Sequence, residues 1–262
     1  MQLSVSPITA AVSVLSGDQR GLAMIKFAVT APVMLLLGLG GVEMGNYVMA
    51  NLRVAQIAMA VADNAGRVRT SIDEADVTEL MVGALKMGEP ISFGTNGRII
   101  LSDLEQRTNT SGTGGKGAVT ADNPQGYRQW IRWQRCAGAL ARTSSYGLPI
   151  NAAGGAVTNI DDTVNEDHGA SESASTIDGM GPTGNRIAAS GGTAVMVVEV
   201  AYTYKPIVPV SLVSSVLGSL EVKRVTAFNV RQRTAYPLRN DGALSGTKRA
   251  DCRLFGANVP TG

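Results

Sequence analysis

Three stretches of this chain carry residue types that could do chemistry. The run D-D-T-V-N-E-D-H-G gathers Asp161, Asp162, Glu166, Asp167 and the single histidine, His168. Clustered carboxylates could chelate a hard cation, but the EF-hand spacing is missing and a solvated loop is the simpler reading. Serine-histidine-aspartate catalysis would have to use His168, and no nucleophile elbow is present to serve it. The run G-T-G-G-K-G resembles a phosphate loop, yet Thr110 stands where glycine is needed and Gly117 where serine or threonine is needed. Finally, Y-R-Q-W-I-R-W-Q-R-C alternates arginine with tryptophan from Tyr127 to Cys136. Such alternation suits a single-stranded nucleic acid, or an antiparallel strand with Tyr127, Ile131 and Trp133 inward and arginines outward. The net charge of +2 gives nucleic acid no support. No catalytic residue, cofactor site or metal ligand is therefore expected, and the chain reads as a non-enzyme.

The element that positions everything else lies near the start. Between Lys26 and Arg53 the only charged side chain is Glu43. As a helix the intervening residues rise about 39 Å, more than the roughly 30 Å of a hydrocarbon core. A helix satisfies its own backbone inside lipid, so the stretch reads as a single membrane anchor. A secretory signal fits poorly, because the apolar run is too long and begins after some twenty residues of mixed sequence. Pro32 should loosen the helix near its start. Gly41 and Gly45 form a G-x-x-x-G pair that lets two helices approach, although such pairs also arise by chance. An ionisable residue in this setting faces water at an interface or a partner helix, and Glu43 is open to both readings. The helix should continue past the membrane, with Asn64 and Gly66 as its first stop signals.

Gly21 follows the basic Arg20 and precedes Leu22, with Ala23, Ile25, Phe27, Ala28, Val29 and Pro32 beyond it. A Leu-rich run then leads to Gly40, Glu43 and Gly45. In this order of residues, from Gly21 to about Gly66, the chain resembles the TadE-like family of minor pseudopilins of Tad (Flp-type) pilus systems. The resemblance implies a prepilin-type leader over 1–21, cut after Gly21, with Leu22, Lys26 and Phe27 forming the rest of the processing site. It implies a membrane helix and its extension over 22–69, with packing at Pro32, Gly41, Glu43 and Gly45. An extracytoplasmic α+β domain over 70–262 follows. The expected partners are a prepilin peptidase, other pilus-assembly membrane proteins and pseudopilins, and the bacterial inner membrane. The N-terminus would be cytoplasmic and the C-terminal domain periplasmic. One position departs from the family pattern, which places Glu where this chain has Lys26. The rival function is a membrane-anchored periplasmic enzyme or ligand-binding domain.

The remaining chain suits a single α+β domain, with 31 glycines and 5% aromatic residues. Ser71 and Glu74 have capping-box spacing ahead of a short helix marked by Ile72, Val77, Leu80, Met81 and Leu85. R-I-I-L-S-D-L-E reads as a strand. Later, Val198, Val200, Tyr202 and Tyr204 alternate with Glu199, Ala201, Thr203 and Lys205, while Leu220, Val222, Phe228 and Val230 share a face. Strands with one wet side belong to an antiparallel sheet, so the expected fold is pilin-like: a long anchor helix followed by that sheet. The apolar, proline-broken run from Pro206 to Ser219 packs on the sheet or touches a membrane surface or partner. Cys136 and Cys252 are an even pair without metal-ligand spacing. In a periplasmic domain they read as a disulfide that would clip D-C-R-L-F, an edge-strand candidate, to the Trp-rich strand. Two buried free thiols are the other reading.

Overall fold

The computed structural model describes residues 19–68, 71–107, 126–151, 176–207, 220–230 and 237–256, with isolated positions between 119 and 161. Helix α1 (Gln19–Gly66) is continuous over 48 residues and runs through Pro32. From Gly21 to Met49 none of its residues is buried. Beyond that point Ala50, Val54, Ile57, Ala58, Val61, Ala62 and Ala65 recur every three or four positions and are at most 1% exposed. One helix thus passes from apolar on all sides to apolar on one packed face. It ends at Gly66, where the Asn64 and Gly66 stop signals put it. Two compact units result. One holds α1 through Val48 with Pro206 and Ile207; the other holds the remaining described residues and is called the head below.

Helix α2 (Glu74–Met87) starts two residues later than a Ser71–Glu74 capping box would start it. Asp73 is the N-cap: its carboxylate accepts from Ala75 N at 2.9 Å, and Asp76 accepts from Asp73 N at 3.1 Å. The box exists, but with aspartates in both places. Ser71 instead takes a hydrogen bond from Arg239 at 3.4 Å, and Glu74 turns into the interior. Val77, Met81 and Ala84 form the buried face, while Leu80 and Leu85 are only partly covered.

A short 3₁₀ turn (Glu89–Ile91) and a one-turn helix α3 (Phe93–Asn96) lead into β1 (Gly97–Gln106). The sheet adds β2 (Gln129–Ala137), the two-residue β3 (Thr176–Ile177), β4 (Ala194–Thr203) and β5 (Glu221–Val230). The order is β3-β2-β1-β4-β5 and every pair is antiparallel. All three 10-residue strands and β2 therefore fall where the strand readings place them.

Two expectations about faces need correction. Alternation puts Ile131 and Trp133 on one side, but a bulge intervenes: Ile131 pairs with Leu104 and Trp133 with Asp103, leaving Arg132 as the extra residue. One inserted residue reverses the faces on either side of it. Nor is one side of the central strands wet. On one side lie the helices, with Tyr202 donating to Ile91 O at 2.8 Å and Phe93 stacked on Tyr202 at 5.9 Å. On the other, loops pack Met180, Ala189, Tyr146 and Ile187 onto Leu104, Ile131, Val195 and Val197. Only β5, with several residues open to solvent, keeps the wet character expected of it.

Glu199, an outward residue by alternation, is 8% exposed beneath that loop layer. Its carboxylate accepts from the Ser144 hydroxyl and from Ser145 N at 2.9 Å. Burial pushes its pKa above the usual carboxylate range, and the Ser144 and Ser145 donors pull it back only in part. A folded-state pKa above the unfolded one means that the contribution of Glu199 to stability is greatest below the unfolded value, near about 4.3, and falls as pH rises through the folded one. Glu199→Gln keeps an acceptor for Ser145 N and can donate to Ser144. Thermal melts from about pH 4 to pH 8 should show a flatter decline for this variant than for the parent, and equal slopes would refute the argument.

Candidate functional site

The anchor comes first, because the sequence places its candidate site there. Gly21, Leu22, Lys26 and Phe27 occupy the first turns of α1 and all are exposed, Phe27 at 71%. Thr30 returns its hydroxyl to the Lys26 carbonyl at 2.9 Å, which settles a polar side chain inside an apolar run. Among the described residues a Cβ added at Gly41 or Gly45 would meet nothing within 4 Å, so neither glycine is required for packing against them. The consecutive residues Met34, Leu35, Leu36 and Leu37 are between 65% and 71% exposed, which leaves apolar surface on every side of the helix. This helix is long and apolar enough to cross a membrane.

Sequence alone leaves Glu43 between water and a partner helix. The structure gives it a partner in its own chain, the Ile207 N–H, which donates to Oε2 at 3.1 Å. Ile207 belongs to the same compact unit as this part of α1. From Leu22 to Glu43 the helix rises about 32 Å, close to the thickness of a hydrocarbon core.

The head contains an ionic cluster that the sequence reading missed. Glu74, 2% exposed, accepts from Arg135 Nε at 3.0 Å and from Arg249 Nη1 at 3.5 Å. Arg249 also reaches Asp161 at 2.6 Å. Arg132 clasps Glu105 through two bonds, at 2.7 and 2.6 Å, while lying over the Trp130 ring at 4.5 Å. The arginines expected on an outward basic face are therefore mostly neutralised within the fold. Spacing could not have revealed the Glu74–Arg249 pair, separated by 175 positions. Of the acidic run around His168 only Asp161 is described, and it serves Arg249; the rest of that run lies outside the described residues. Among the described residues no group of three or more His, Cys, Asp or Glu could hold a metal.

Segment 237–256 is held to the head at several points. Cys136 and Cys252 are joined by a disulfide, and Cys136 N donates to Ala250 O at 2.8 Å. Arg239 N donates to Ile72 O at 3.0 Å, and its own carbonyl accepts from Glu74 N at 2.8 Å. Arg98, fully buried, gives its guanidinium to the carbonyls of Gly138, Leu254 and Cys252 and lies 4.4 Å from the Phe255 ring centre. Burial lowers its pKa to about 10, with the Asp251 carboxylate acting in the opposite sense. D-C-R-L-F is accordingly not an edge strand. Two of its carbonyls turn inward to Arg98, which leaves no ladder for a neighbour.

Residues 21–63 match the family model described as TadE-like protein, a minor part of the 262-residue chain. No curated protein and no solved structure matches it. The matched stretch covers the fully exposed part of α1 from Gly21 onward and most of its packed continuation.

Proposed function

We propose, with a TadE-like anchor over residues 21–63 as premise, that this chain is a membrane-held, pseudopilin-like component of a Tad-type pilus assembly or related secretion apparatus. One observation carries the reading: the family match falls on the stretch of α1 whose apolar side chains face outward on all sides. Such a surface is stable in lipid or against other apolar helices, and in water it would associate. Work is done by packing and contact, without chemistry of the chain's own.

In this reading residues 1–21 form a cytoplasmic leader, removed after Gly21 by a prepilin peptidase. Residues 22–69 are the anchor and its extension, and 70–262 the periplasmic domain. The Cys136–Cys252 bond suits an oxidising compartment and supports that orientation. Glu43 then sits at the outer edge of the hydrocarbon, where the Ile207 amide and headgroup water reduce the cost of its charge. Lys26 stands where the family pattern has a carboxylate to meet the amino terminus of a neighbouring subunit. Its ammonium would repel that amine, so Lys26 extends toward the cytoplasmic headgroups instead. Gly41 and Gly45 offer a close-approach face to another pilus-assembly helix.

Mass spectrometry of the protein extracted from cells with an active prepilin peptidase tests the processing step. The expected N-terminus is Leu22, and an intact Met1 would overturn it. Reporter fusions after residue 256 test the orientation, with periplasmic signal expected.

A further inference from the structure

We propose that the end of the head at which α1 enters it docks on anionic phospholipid headgroups of the adjacent leaflet, an inference that rests on α1 spanning a membrane. Contacts within the head bring several segments to this end. Arg53 on α1 donates to Met87 O, at the C-terminus of α2, at 3.5 Å. Arg224 on β5 donates to Asn51 on α1 at 3.1 Å. The start of β5 pairs with the end of β4, Glu221 opposite Thr203, so Lys205 follows just beyond. Arg142 joins the set through Glu221 at 2.7 Å. Arg53 is half-buried, while Lys86, Arg142, Lys205, Lys223 and Arg224 are exposed.

Charge and apolar surface together select the occupant. Among the described residues the carboxylates at this end are Glu89, 3.5 Å from Lys86, and Glu221, 3.5 Å from Lys223. The six cations therefore exceed them by four charges, against +2 for the entire chain, so the remaining sequence is net negative. Helix α2 is ordered in the same sense, with Asp76 and Glu79 toward its start and Lys86 in its last turn. Leu52 and Met87, next to Arg53 and Lys86 in sequence, are 55% and 41% exposed. A soluble anion would answer the charge but not these two side chains, whereas a headgroup boundary takes basic and apolar groups together. Reach is sufficient. From Glu43 to Arg53 the helix rises about 15 Å. The headgroup layer occupies roughly 5–8 Å of that, which leaves about one Debye length.

The test reconstitutes the full chain in vesicles of phosphatidylcholine with a minority of phosphatidylglycerol. Spin-labelled forms of the two lipids report which one the protein immobilises. The variant carries Lys86→Gln, Lys205→Gln, Lys223→Gln and Arg224→Gln, all at exposed positions, and keeps Arg20 and Lys26, so the difference from the parent reports on the head alone. At about 0.01 M salt the preference for phosphatidylglycerol should be about threefold greater in the parent than in the variant, and at about 1 M salt the two should agree. Glu79→Gln, which adds positive charge away from this end, should leave the parent's preference unchanged. Equal preference in parent and variant at low salt would overturn the proposal, as would a rise with Glu79→Gln matching one of the removed charges. A chain that fails to float with vesicles of either lipid would remove the anchor reading and this proposal together, whereas one that floats without a lipid preference removes this proposal alone.

Discussion

Replacing Glu74 with alanine is expected to destabilise the head by about 3–5 kcal/mol, the usual result of removing one partner from a buried ion pair. Glu74 is 2% exposed and faces both Arg135 and Arg249. Arg135 forms no other ion pair among the described residues, and Arg249 retains only Asp161, whose side chain is 65% exposed. Denaturant unfolding of the detergent-solubilised protein measures the loss. Glu74→Gln should cost less, because it preserves one acceptor oxygen. Removing Arg135 in the Glu74→Ala background should return part of the loss, since the stranded cation goes with it. A single-mutant cost under about 1 kcal/mol would mean that water reaches the cluster as it does an exposed pair.

The second large effect concerns the disulfide. Cys136 and Cys252 are 116 positions apart in sequence, and in the chain-entropy model such a loop is worth about 4–5 kcal/mol. The double replacement Cys136→Ser with Cys252→Ser should lower the melting temperature by roughly 10–20 °C, and reductant should do the same to the parent while leaving the variant unmoved. The bond does not act alone on this segment: Arg98 holds three carbonyls, two of them within it, and Arg249 pairs with Glu74. A reduced protein that melts where the oxidised one does would assign the whole restraint to those contacts.

The parts of this fold that are legible in sequence are those set by local periodicity. The stretch between Lys26 and Arg53, with its single charge, defines the helix, and alternation at Val198, Val200, Tyr202 and Tyr204 marks β4. The four main strands and their antiparallel pairing follow from the same signal. What escapes is long-range or depends on a single inserted residue. The bulge at Arg132 reverses the faces of Ile131 and Trp133, and no composition rule announces it. Glu74 looks like half of a capping box because its spacing from Ser71 is right. Asp73 and Asp76 compete for the same role two positions along, and they win because Glu74 is held by arginines 61 and 175 positions distant. Loop cover over Glu199 is equally hidden, since Ser144 and Ser145 lie 55 and 54 positions away. The Pro206–Ser219 run remains an expectation, for it lies almost wholly outside the described residues.

The attachment of residues 237–256 also sets a timetable for biogenesis. Glu74 emerges from the ribosome 175 residues before Arg249, and Arg98 emerges 154 residues before the Cys252 carbonyl that it holds. At about 5–20 residues per second that is an interval of roughly 8–35 seconds. Arg135 follows Glu74 by 61 residues, but until the C-terminal segment is made Glu74 lacks Arg249 and Arg98 lacks the Cys252 and Leu254 carbonyls. Closure by contacts so distant in sequence is intrinsically slow.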